Sequence, residues 1–132
     1  MKIIIVSSRD EIRSLDSKEK LVHFGFRPSN KDIFELVQAC PKLKALHIPQ
    51  SYMRTISGTT KMYLEMQEIA LLEGDVWGHR KDIDEYYEIK PKVTERIEEL
   101  KSEGMAESDI LDRMVRETRL SRDLLEFMLK GK

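Results

Sequence analysis

Four consecutive apolar, β-branched residues, Ile3 to Val6, stand almost at the start of the chain. No polar residue alternates with them, so neither face of a strand built from them can meet water. They call for a sheet covered on both sides, the arrangement of a parallel sheet under helices. Ser7-Ser8-Arg9-Asp10-Glu11 follows at once, and a run of four is far too short for a signal peptide or a membrane span.

The rest of the first ninety residues extends this pattern. Arg9 to Lys20 holds only Ile12 and Leu15 as apolar residues, which predicts a helical turn and a loop. Leu21 to Phe26 reads as a second strand, stopped by Arg27-Pro28-Ser29-Asn30. Ser29 and Asp32 form a capping pattern at the head of a helix whose apolar stripe is Ile33, Leu36, Val37 and Cys40, ended by Pro41. Leu43 to Ile48 makes a third strand. Ser51 or Ser57 heads the next helix, with Met62, Tyr63, Met66 and Ile69 as its expected inward stripe, and the segment from Ala70 offers a fourth strand. The expected order β, β, α, β, α, β favours a small, largely parallel sheet of about four strands. Strand starts recur at the spacing of leucine-rich repeats, but only Cys40 to Pro49 matches one such unit, and a solenoid needs about three.

Past Pro91 the period turns purely helical. Val93, Ile97 and Leu100 form one stripe, closed by Gly104; Ile110, Leu111, Met114 and Val115 form a second. Leu124, Leu125 and Met128 form a third, with Ser121 as N-cap and Leu120 as staple. The domain reading is therefore a β/α part over residues 1–90 and a tri-helical, helix-turn-helix-like part over 91–132, packed on it and tied to it by an aromatic connector around Trp77, Tyr86 and Tyr87.

Charge narrows the partners. The 132 residues carry 23 Lys and Arg against 24 Asp and Glu, so no global field draws the chain to nucleic acid or an anionic membrane. The lone cysteine, Cys40, excludes an internal disulfide and suits a reducing cytoplasm. Arg119, Arg122 and Lys130 would meet phosphates if the tail read DNA. Against that, residues 91–132 hold nine basic and ten acidic residues, Asp123 and Glu126 would face the groove, and the turn reads as longer than the compact type. A protein-docking or dimerising tail is the competing expectation.

In open parallel sheets ligands bind at the carboxyl ends of the strands. The loops there carry Arg9, Arg27, Ser29, Asn30, Arg54, Ser57 and Thr59, a set suited to a phosphate or carboxylate. The plainer reading is that such loops always hold polar and capping residues. Ser57 to Lys61 is no P-loop, because its glycine and lysine spacing is wrong. An enzyme would use Asp75 or His79 as acid/base, with Arg27 and Arg54 on an anionic substrate. Structural roles are expected for His23, His47 and Cys40: the two histidines share strand parity, but no metal-ligand spacing exists. No metal or cofactor is expected.

The segments Glu19 to Pro41 and Leu71 to Ile89 resemble those of a family of short, uncharacterised proteins from methanogenic and related archaea, a domain of unknown function. The resemblance covers nearly the whole chain. It implies an archaeal cytosolic protein and carries no catalytic residue. The functional expectation is a non-enzymatic binding or regulatory protein with an anion-binding edge; the alternatives are a helix-turn-helix regulator and a small enzyme.

Overall fold

The computed structural model describes residues 2–74 and 85–130. Its centre is one five-stranded sheet in the order β4-β3-β2-β1-β5, with β1 at Lys2–Val6, β2 at Leu21–Phe24, β3 at Ala45–Ile48, β4 at Ala70–Glu73 and β5 at Glu85–Glu88. The first four strands are parallel and lie in sequence order, as one layered sheet and not a solenoid. β5 runs antiparallel along β1, with Ile3 opposite Tyr87. From sequence alone Glu85-Tyr-Tyr-Glu88 reads as connector, because it has a polar residue at each end. An edge strand can carry such a sequence, and tyrosine suits it.

Ile3 to Val6 is buried on both faces of the sheet, as its composition required. Ile4, Val6, Val22, Phe24, Leu46 and Ile48 face one apolar layer. That layer is completed by a 3-10 turn at Arg9–Ser14, α1 at Asn30–Ala39, the single turn α2 at Gln50–Met53 and α3 at Gly58–Met66. Ile3, Ile5, Leu21, Ala45 and Leu72 face the other layer, supplied by α4 at Pro91–Ser102, α5 at Glu107–Thr118 and α6 at Arg122–Leu129. The tail thus covers the sheet's second face.

Two local expectations are corrected. The inward residues of α3 are Thr60 and Leu64, whereas Met62 and Met66 are 62% and 75% exposed and Tyr63 meets Phe34 edge-on. The chain leaves α3 through Glu68 at φ 60°, and that reversal, not the helical period, carries Ile69 into the core. The turn between α5 and α6 is also short. Arg119 adopts a left-handed conformation, Leu120 is buried, and Ser121 already caps α6, so three residues join the helices. That length matches a compact helix-turn-helix.

Candidate functional site

The carboxyl edge of the parallel strands is built by two helix starts. Ser29 Oγ accepts from the Asp32 amide and Asp32 accepts from the Ser29 amide, so the predicted capping box closes at the head of α1. Ser57, not Ser51, caps α3 by accepting from the Thr60 amide. The two helix starts are then tied to each other: Thr60 Oγ1 donates to Asn30 Oδ1 at 2.7 Å. Ser29 and Ser57, offered by the sequence reading as ligand contacts, therefore spend their oxygens on the fold. Arg9 lies 3.6 Å from Asp32 beside a hollow of about 160 Å³ that Arg13 and Lys31 also line. Arg27 stacks over Tyr52 of α2, and Arg54 directly follows that helix. Arg27, Arg54 and Thr59 are exposed, and neither arginine is paired with a described carboxylate. Asp75, His79 and Trp77 lie outside the described residues.

A second constellation sits under the other face of the sheet. His23 and His47 are register partners on β2 and β3, both fully covered, with their Nδ1 atoms 2.8 Å apart. At that distance one Nδ1 carries a proton and donates while the other accepts. His47 Nε2 lies 2.8 Å from Ser121 Oγ, which in turn accepts from the Leu124 amide as the N-cap of α6. Serine, histidine and histidine in sequence have the layout of nucleophile, base and orienting group. Here the layout is a joint. Gly74 lies against the serine at φ +149°, and a Cβ on it would stand 2.2 Å from Ser121 Cβ and 3.1 Å from His47 Nε2. Sequence reasoning found the paired histidines and the cap separately, but no local pattern says that a cap 74 positions downstream meets the same imidazole.

The tail's candidate phosphate contacts are largely committed. Arg122 pairs with Asp112, and Lys130 with Glu126 at 3.1 Å. Arg119 is exposed at the turn. Asp123, expected to face a groove, is instead half-buried and accepts from the Glu73 amide at 2.8 Å, which fastens α6 to β4. Five of the eight residues of α6 are buried, against the sheet on one side and α4 and α5 on the other.

Cys40 is fully covered, and burial, helped by Glu19 and Asp16, pushes its thiol up to about 11. Such a thiol is a packing group rather than a nucleophile. Among the described residues no group of three histidines, cysteines or carboxylates is arranged to hold a metal, and no helix is long and apolar enough to cross a membrane.

Two family models match the chain. The N-terminal domain of a family of unknown function (DUF1699) matches residues 2–85, and the C-terminal HTH domain of the same DUF1699 proteins matches residues 92–130. No curated protein and no solved structure matches.

Proposed function

Since the chain belongs to the DUF1699 family, whose C-terminal part is described as a helix-turn-helix domain, we propose that it is a regulatory binding protein. Its α/β part takes a small phosphate- or carboxylate-bearing ligand at the carboxyl edge of the parallel strands. The resemblance to short archaeal proteins supports an archaeal cytoplasmic setting.

One observation carries this reading: the starts of α1 and α3 are locked together by the bond between Thr60 and Asn30. The first amides of each helix have no acceptor within it and favour an anion. At α1 the Asp32 carboxylate already occupies that field and holds Arg9. The α3 side is different. Gly58 and Thr59 present their amides there, with Arg27, stacked on Tyr52, and Arg54 as the exposed cations of the same edge. We put the ligand on the α3 side accordingly, with Arg9 and Ser29 as flanking residues.

The test is an NMR titration of the full-length chain with inorganic phosphate and, separately, citrate. Gly58 and Thr59 amides should shift first, and Arg54→Ala should weaken binding about tenfold, the equivalent of one charge-assisted hydrogen bond. No shift with either anion, or shifts unaffected by Arg54→Ala, would refute the site.

Duplex DNA binding by the tail is the second reading, favoured by the family description and the compact turn. It would use Arg119, Arg122 and Lys130. The outward row of α6 and its C-cap is Arg122, Glu126 and Lys130, with both cations already paired, and a helix entering the major groove needs one free polar face. We therefore rank it below ligand binding. Anisotropy with a labelled duplex decides: binding that falls steeply between about 50 and 200 mM salt, and weakens in Arg122→Ala, would reverse that order.

A further inference from the structure

The outer side of β4 is an unfinished sheet edge. No described strand lies beyond it, and a groove of about 880 Å³ runs along it, walled by the end of α3 and by α6. The amides of Ala70 and Gly74 donate to carbonyls of the β3 side, Lys44 and Ile48. By the alternation of a strand, Leu71 and Glu73 then direct their backbone groups outward. The outward position of Glu73 is confirmed by its amide donating to Asp123 at the edge. Ile69, just before the strand, donates to Leu64. Leu71 is left as the one β4 residue whose outward N–H and C=O have no partner among the described residues.

We infer that this groove binds an extended segment of another protein, which adds to β4 as an antiparallel sixth strand centred on Leu71. Antiparallel pairing is the more stable per residue, and charge then sets which end of the segment is basic. Lys42 and Lys44 line the groove where β4 begins, with Lys130 beside them paired to Glu126; Asp123 lines it where β4 ends. A segment with a basic amino end at Asp123 and an acidic carboxyl end at the lysines is complementary, and that polarity is antiparallel to β4. Glu65 and Glu68 on the α3 wall temper the basic end without reversing it. A lone extended segment fits better than a second copy, whose own β4 edge carries the same two walls of α3 and α6. Asp123 limits the pairing, because its carboxylate fills the acceptor position opposite the Glu73 amide. The added strand is therefore short.

The probe is a seven-residue peptide of alternating valine and threonine, with lysine at the amino end and two glutamates at the carboxyl end. The control is the same peptide with its order reversed. In titrations of the full-length chain, the first should bind about tenfold more tightly and slow exchange of the Leu71 amide. Leu71→Pro removes the outward N–H, which an edge strand tolerates, together with a half-buried side chain packed on the core, so it should abolish binding and lower the thermal midpoint by several degrees while the chain stays folded. Should that variant not fold, the exposed double change Lys44→Glu and Lys130→Glu should transfer preference to the reversed peptide. Equal binding of both peptides, shifts that map away from β4, or no binding at about 1 mM would overturn the inference. A concentration-dependent dimer blocked by Leu71→Pro would also overturn it, in favour of a second copy.

Discussion

Replacing Ser121 with alanine should cost the protein a large share of its stability, because one half-buried hydroxyl serves two tasks. It caps α6 through the Leu124 amide, a bond worth about 1 kcal/mol, and it meets His47 Nε2, where losing a buried partner costs about 1–3 kcal/mol. The sum of about 2–4 kcal/mol compares with a total of roughly 5–15 kcal/mol for a domain. Ser121→Gly separates the two tasks, since glycine caps nearly as well as serine and so loses only the imidazole bond. Urea denaturation at pH 7.5 should rank Ser121→Ala below Ser121→Gly, and both below the parent. Gly74→Ala should be at least as harmful, because its new Cβ would stand 2.2 Å from Ser121 Cβ. In the Ser121→Gly background that penalty should shrink. Refutation would be a Ser121→Ala variant within about 0.5 kcal/mol of the parent, the size expected of a surface substitution.

Arg119→Gly should stabilise by about 0.5–1 kcal/mol in denaturant titration, because Arg119 sits at φ 62° and glycine takes that conformation without a Cβ penalty. Thr60→Val should destabilise by about 1–2 kcal/mol, since the buried hydroxyl that donates to Asn30 is lost, and it should weaken phosphate binding in the same titration. Cys40, held at about 11 by burial, should resist thiol reagents at pH 8 until the chain is denatured. Its linkage has a fixed sign: the folded thiol stays neutral longer than the unfolded one, so its contribution is intact below about pH 8.5 and fades as pH rises toward 11. Met66→Gln should leave stability within about 0.5 kcal/mol, because that side chain is 75% exposed.

What could be read ahead of the structure depended on how locally each feature is encoded. Ile3 to Val6 declared a doubly covered strand because burial on both faces is written into four adjacent residues. Ser29, Ser121 and Gly104 declared helix ends because caps act over three or four positions. The α3 stripe failed for the converse reason: Met62 and Met66 are apolar at helical spacing, but inwardness was decided by where Ser57 starts the helix and by the reversal at Glu68. β5 was missed because its place is set by the partner β1 rather than by its own alternation.

The sites show the same division more sharply. Topology sends Ser29, Ser57 and Asn30 to one edge, yet it could not say that their oxygens would be consumed in capping and in tying two helices together. Asp123 was read from its own helix as a groove-facing charge, and its bond to the Glu73 amide reverses that meaning. That bond both fastens α6 onto the sheet and blunts the carboxyl half of the β4 edge. It links the two readings: while Asp123 holds Glu73, the head of α6 stays fastened to the sheet, and an added strand can reach β4 only as far as Leu71. Asp123→Ala should therefore act on both at once, loosening α6 by about 1–3 kcal/mol and lengthening the edge open to pairing. Hydrogen exchange reports the two effects separately, through faster exchange at Leu124 and Leu125 and through added protection of the Glu73 amide when the probe peptide is present. If exchange at α6 does not change in Asp123→Ala, the tail is held by its apolar contacts alone and the link between the two readings fails.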